Sequence, residues 1–489
     1  MSSLNTLFLE IKSGGITDLA SGVHWTSGEV RAQTLRRISY LKENKFGKGD
    51  LFLITHGGTA MFFADLFAVW GIGGIAACLN SKLTLNELET VSAFTQPKAI
   101  LLGPGQGAKE LSFRCPQFDL DRNAKGDACC DVAGVSPNDP ALILFTSGTT
   151  GDPKGVVHSY GSLQARLENN WRHLSKGILA KTLCVLPTHF GHGLIGNCLT
   201  PLLSGRRLFL FQDQGIGGAA RMGKIIDDHA ITFLSSVPSF WKMVLKTSPP
   251  PGGGSLKQVS VGSAPLSKGH WQAIMNWAGI KNVVNMYGIT ETANWAAGAS
   301  GADYRIETGL VGKMWGGQAA VMTSGGKPQA AGEGELLLKP PSLMKGYYQR
   351  PDLTDQAIRG GWYHTGDIGS IDKTGVIRLL GRIKTEINRA GMKILPEEID
   401  ALLEGHEEVV EACAFGVPDA VSGETVAIAY TLKEGSQLSP ADLRAWCQIR
   451  IRLDCVPEKW YPVSEIPKTD RGKVNRGVVR EYCLEGKNR

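Results

Sequence analysis

Thr146-Ser147-Gly148-Thr149-Thr150-Gly151-Asp152-Pro153-Lys154-Gly155 is the stretch on which the reading of this chain turns. Four hydroxyls, three glycines and a lysine fall within ten residues. Glycines let backbone amides turn toward one point, hydroxyls add donors, and the lysine adds a full positive charge, a combination suited to cradling phosphate. The spacing differs from the GxxxxGK[ST] of ordinary phosphate loops. An apolar run at 141–145 precedes it and an amphipathic stretch at 161–174 follows, which predicts a strand, a loop and then a helix.

Similar apolar runs recur at 51–55, 99–102, 183–186, 207–211, 231–235 and 282–286, bounded by Gly, Pro and Asn, and read as buried strands. Helical stretches such as 84–95 lie between several of them. This alternation predicts an α/β fold: a large N-terminal domain, residues 1–381, of mixed, largely parallel sheets with helices, and a small α+β C-terminal domain, residues 382–489. In the latter, helix signals stand at 396–403 and from Ser439-Pro440, with strand runs at 409–415 and 425–432. Residues 248–254, Ser-Pro-Pro-Pro-Gly-Gly-Gly, read as a surface loop within a domain.

Composition narrows the classes of function. The 489 residues include 61 glycines and carry a net charge of +6, too mild and dispersed to argue for nucleic acid but suited to an anionic ligand. No stretch reads as a membrane span, and residues 1–20 lack the basic start and apolar block of a secretory signal. The ten cysteines include no CxxC pair and read as reduced thiols, so the expected setting is cytoplasmic, with no membrane or nucleic-acid partner and a monomer or homodimer. Cys129-Cys130 reads as part of a loop.

Four further motifs follow the first in order: Tyr287-Gly288-Ile289-Thr290-Glu291, Trp362-Tyr363-His364-Thr365-Gly366-Asp367, Gly381-Arg382-Ile383-Lys384, and Pro467-Lys468-Thr469-Asp470-Arg471-Gly472-Lys473. Together with Asn80, Leu83-Thr84 and Glu87-Leu88 they resemble, over nearly the whole chain, the adenylate-forming superfamily of acyl- and aryl-CoA synthetases, stand-alone adenylation enzymes and luciferases. The resemblance implies an AMP-forming acid-thiol ligase that uses ATP and Mg2+. It would activate a small carboxylic acid to an acyl-adenylate with release of pyrophosphate, then pass the acyl group to the thiol of CoA.

Such a reaction brings two anions together, so cations and donors must gather at the α-phosphate. The resemblance assigns nucleotide contacts to Thr146, Ser147, Gly148, Thr149, Thr150, Gly151 and Lys154. Thr290 is suited to donating to a phosphate oxygen, Glu291 to holding the metal, and the ring of Tyr287, before Gly288, to stacking on adenine. Asp367 is an acceptor pair for the ribose hydroxyls, with Arg382 as a nearby cation. Gly262-Ser263-Ala264-Pro265 resembles the adenine-binding turn, with Asn285 and Met286 opposite. In the family, the lysine matching Lys473 inserts into the site for adenylation and withdraws afterwards, and Lys384 stands at the hinge position.

Pro187-Thr188-His189-Phe190-Gly191-His192-Gly193 resembles the gating segment, but Phe190 stands where the family usually has histidine, and His189 comes one residue earlier. The acid pocket is expected from His189, Phe190, Gly193, Ser239, Gly262, Gly288 and Trp295, with Phe240 nearby, which suits an aromatic or medium-chain acid better than acetate. Ile387-Asn388-Arg389-Ala390-Gly391-Met392-Lys393-Ile394 resembles loops that line a pantetheine tunnel. Transfer to an amine, as in amide synthetases, or to a carrier-protein pantetheine keeps the same adenylation. A nucleotide-binding protein without catalysis is a third reading, against which Glu291, Asp367 and Lys473 stand.

Overall fold

Leu51–Ile54 has all four side chains buried, the pattern of a strand covered on both faces. It lies inside a seven-stranded sheet, ordered 346–347, 154–159, 140–146, 75–78, 51–54, 99–101, 117–118. Pairing is parallel from 140–146 outward through 117–118 and antiparallel at the other end. The computed structural model describes residues 3–128, 131–146, 154–213, 215–323, 325–389, 392–419, 422–469 and 473–485. Cys129-Cys130, the heart of the glycine-rich loop at 147–153, Gly391 and 470–472 lie outside the described residues.

The glycine-rich stretch does not run from strand to helix. Strand Lys154–Ser159 intervenes before helix Tyr160–His173 and pairs antiparallel with Pro140–Thr146. Its sequence, Lys-Gly-Val-Val-His-Ser, holds only two consecutive apolar residues, too short a run to stand out beside the helix. The register sets Thr146 against Lys154, so the loop leaves and returns at one point.

A second sheet has fifteen strands. Its parallel part runs 283–289, 258–262, 233–236, 181–184, 207–210, 15–18, and antiparallel strands extend it from 294–300 onward to 328–329. The sheets are mixed, as the alternation predicts. Helices between them bury Trp70, Phe63, Phe67, Trp241 and Trp271, and such side chains each contribute roughly 1.5–3 kcal/mol of transfer free energy. Trp70 stays compatible with the core because its indole N–H donates to the Ala141 carbonyl at 2.9 Å.

Helix starts follow the sequence closely. Thr84 accepts from the Glu87 amide while the Glu87 carboxylate accepts from the Thr84 amide at 2.7 Å, a capping box, and Ser439 and Asp442 repeat it before Pro440–Gln448. From Ile387 onward the buried residues form two clusters of their own. They pack under the sheet 392–394, 387–389, 423–432, 409–419, with 459–462 beside 423–432. Among the described residues, no helix is long and apolar enough to cross a membrane.

Candidate active site

The site forms where parallel strands Gln258–Gly262 and Val283–Ile289 end side by side, the end at which open α/β sheets take ligands. Gly262 pairs with Met286 and Val261 with Asn285, so the turn Ser263-Ala264-Pro265 does face Asn285 and Met286. A Cβ on Gly262 would stand 2.9 Å from the Met286 carbonyl, and Ser263 turns the chain at φ +69. Asn285 donates from Nδ2 to the Leu310 carbonyl at 2.8 Å, which ties its side chain to strand Leu310–Met314, beyond the neighbouring strand Asn294–Ser300.

Strands Trp362–Ile371 and Ile377–Arg382 bring in the acidic end, because their register sets Asp367 opposite Arg382. Arg382 Nε donates to Asp367 Oδ1 at 2.6 Å, and the Tyr287 hydroxyl donates to Oδ2 at 2.6 Å. The Tyr287 phenol is pushed well up, first by burial and then by the Asp367 carboxylate, so it remains a donor.

Glu291 is buried on the short turn Thr290–Thr292. Tyr347 donates its hydroxyl to Glu291 Oε1 at 2.7 Å, and Lys154 Nζ lies 3.9 Å from that oxygen and 3.9 Å above the centre of the Tyr347 ring. Half-burial lowers the Lys154 ammonium, Glu291 works the other way, and Lys384 and Arg350 add to the lowering. Lys154 thus feels the charges of both Glu291 and Lys384. The Thr290 carbonyl lies 2.8 Å from Nε2 of buried His158, which must carry the proton to donate there.

Residues 187–193 are held by His192 rather than by His189 or Phe190. His192, at the start of the helical segment His192–Leu199, sits 2.9 Å from the Ser263 hydroxyl through Nδ1 and 2.7 Å from the Ser235 hydroxyl through Nε2. Burial, with the charge of Lys473 next, pushes it down to about 3, so it is neutral near pH 7. His189 is half-buried, its ring 5.7 Å from that of Phe190. Gly193 touches the loop so closely that a Cβ would lie 1.9 Å from the Pro187 carbonyl.

Lys473, through its ammonium, adds to the lowering of His192, so its charge is felt at this site. Its backbone closes a hairpin: the Thr469 amide donates to the Lys473 carbonyl at 2.8 Å, and Lys468 bridges to Val474. Gly262, Ser263, Tyr287, Thr290 and Glu291 thus lie at or just after the ends of two neighbouring strands, with Asp367 and Arg382 tied to Tyr287 and Lys154 to Glu291. Trp295, with its ring 5.8 Å from that of His192, and Phe240 are buried, whereas Ser239 is half-buried in the first turn of Pro238–Thr247. On Gly288 a Cβ would meet the Asn294 carbonyl at 2.2 Å. His364 pairs with Glu335 at 2.8 Å on the far side of its strand. His192 and Tyr347 escaped sequence reasoning: their partners stand 71 and 56 residues away, and no local pattern marks them.

A family model described as AMP-binding enzyme matches residues 13–348, and one described as AMP-binding enzyme C-terminal domain matches 398–473. The chain is 30% identical to a probable CoA ligase, CCL9, of Humulus lupulus, covering 95% of this chain and 93% of that one. It is also 30% identical to an oxalate–CoA ligase of Arabidopsis thaliana, covering 89% of each. The fold is that of ATP-bound MatB from Rhodopseudomonas palustris, with a TM-score of 0.88 at 24% identity over 98% of this chain and 99% of that one.

Proposed function

The chain belongs to the AMP-binding enzyme family, and from that premise we propose that it is an acid–CoA ligase: it joins a carboxylic acid to ATP as an acyl-adenylate and passes the acyl group to CoA. The observation that carries this reading is the Tyr287–Asp367–Arg382 group tied to the end of strand Val283–Ile289, with Glu291 and Lys154 paired at the turn that follows that strand.

In the first step a carboxylate oxygen attacks the α-phosphorus of ATP and the bond to the β-phosphate breaks, giving acyl-AMP and pyrophosphate. Asp367 accepts from the ribose hydroxyls with lone pairs left over from Tyr287 and Arg382. Lys473 and Lys154 place positive charge where negative charge builds up. Neutral His192 adds no charge beside the acid. It holds the hydroxyls of Ser263, on the turn after Gln258–Gly262, and of Ser235, on strand Phe233–Ser236. In the second step the thiol sulfur attacks the acyl carbon, AMP departs and the thiol proton is lost.

The donor set fits magnesium of a particular kind. Among the described residues no group of three His, Cys, Asp or Glu side chains gathers as a cage, whereas Glu291 is one buried carboxylate beside the glycine-rich hairpin. That suits an ion held by one carboxylate with phosphates and water completing its shell. When bound, it would neutralise the departing pyrophosphate.

The domain boundary belongs to the same proposal: residues 1–381 carry the nucleotide and acid, and 382–489 turn about Lys384, which sits in the short turn Ile383–Thr385. Phe190 and Trp295 support an aromatic or medium-chain acid. A panel of carboxylic acids, assayed for pyrophosphate release and then with CoA by product mass spectrometry, tests the reading. Thioester formation is expected; amide formation from added amines with no thioester would replace CoA as the acceptor.

A further inference from the structure

A single carboxylate joins three separate pieces of the protein. Glu411 lies on strand Val409–Asp419 of the C-terminal unit, with its side chain 15% exposed. Its Oε1 receives Lys242 Nζ at 2.8 Å and Lys468 Nζ at 2.7 Å, and its Oε2 receives Lys468 at 2.8 Å. Lys242 belongs to helix Pro238–Thr247, which begins directly after the strand whose Ser235 holds His192. Lys468 opens the hairpin whose other arm carries Lys473. Lys242 also lies 3.6 Å from Glu404 Oε1 and 3.5 Å from the Val410 carbonyl.

We propose that Glu411 is a positioning residue that latches the C-terminal unit onto helix Pro238–Thr247 in the adenylate-forming orientation and aims the Lys473 hairpin into the site. This rests on the ligase reading above. The two contacts on Glu411 differ in kind. The pair with Lys468 lies within the C-terminal unit and travels with it. The pairs of Lys242 with Glu411 and Glu404 cross between the units, so any rotation that withdraws Lys473 must break them. The electrostatics agree with the geometry. Burial raises the Glu411 carboxyl, yet the two ammonium groups outweigh it and hold the group below its ordinary range. Glu404, with burial dominant and Lys242 opposing, is raised. Partial burial also keeps these pairs from being screened as fully exposed ones are.

Because the latch favours one orientation, losing it shifts the population away from the adenylating state without touching the chemistry of the other. Lys242→Met and Glu411→Gln are each expected to slow acyl-adenylate formation by about fivefold to twentyfold. Each leaves thioester formation from presynthesised acyl-adenylate within about twofold of wild type. Lys242→Arg keeps the charge and is expected to restore adenylation.

Hydrogen exchange gives a readout apart from catalysis. In both loss variants, amides of 238–247 should lose protection while those of the neighbouring strand 233–236 keep theirs. Equal losses in both half-reactions, or unchanged protection of 238–247 in both variants, overturns the latch. If the wild type forms no adenylate from any acid, the ligase reading fails, and the exchange pattern still decides whether Glu411 docks the unit. Should Glu411→Gln fail to fold, Lys242→Met, on a helix outside the C-terminal core, carries the test alone.

Discussion

Tyr287 and Asp367, eighty residues apart, meet through a hydrogen bond of 2.6 Å from phenol to carboxylate Oδ2, while Arg382 holds Oδ1 at the same distance. The carboxylate is thereby gripped on both oxygens before any ligand arrives, and its plane is set by two strands and a third element that crosses to them. Preorganisation of this kind spares the bound nucleotide the cost of ordering its partner. Tyr287→Phe keeps the ring and removes one grip. A hydrogen bond to a charged group is worth about 1.5–3 kcal/mol. The KM for ATP in pyrophosphate release should rise about tenfold, and more in Asp367→Asn. An unchanged KM in Asp367→Asn would place the ribose elsewhere.

Lys473→Ala removes a cation from the place where charge develops. Losing one such stabiliser costs on the order of 10² to 10³ in rate. Adenylation should fall by that factor while thioester formation from presynthesised acyl-adenylate is retained. Rapid-quench measurement of each half-reaction separates the two, and equal losses would take Lys473 out of its assigned role.

Glu291 and Tyr347 predict a dependence on magnesium. In Glu291→Gln the Mg2+ concentration for half-maximal adenylation is expected to rise by about tenfold to a hundredfold, the usual effect of disturbing a metal site. Tyr347→Phe, which only frees the orientation of the carboxylate, should move it in the same direction and less far. A magnesium titration unaltered in both would assign the metal to another group.

Gly193→Ala tests how tightly the gating segment is packed. With a Cβ placed 1.9 Å from the Pro187 carbonyl, the backbone has to shift, at about 1–3 kcal/mol for overpacking. A lower urea midpoint and a raised KM for the acid are expected together. Wild-type stability in this variant would mean that the segment yields freely.

His192, His158 and His270 are pushed down by burial to about 3, 4 and 4. Above pH 6.5 both folded and unfolded forms are neutral and these groups leave stability unchanged. Below it the unfolded chain takes up protons that the folded chain refuses, so stability falls as pH drops toward 4, by up to about 1.4 kcal/mol per pH unit for each histidine. Urea unfolding at pH 7, 6 and 5 measures the slope. His270→Gln should reduce it by one proton, and an unchanged slope would show that His270 titrates normally when folded.

Much of this protein is legible in its residues alone. Capping boxes at Thr84–Glu87 and Ser439–Asp442, the strand-forming run 51–54 and the helix 396–403 follow from local propensity and periodicity, since their causes lie within a few residues of one another. The ordered motifs likewise identify the chemistry, because each gathers its reactive groups in a short segment. Tertiary structure alone decided that the strands flanking the glycine-rich residues pair antiparallel, that His192 rather than His189 braces the turn at Ser263, that Tyr347 orients Glu291, and that Lys242 and Lys468 share Glu411. These side-chain contacts join residues from 56 to 169 positions apart. They depend on which strand ends lie side by side, and that follows from the packing of whole sheets rather than from any pattern along the chain.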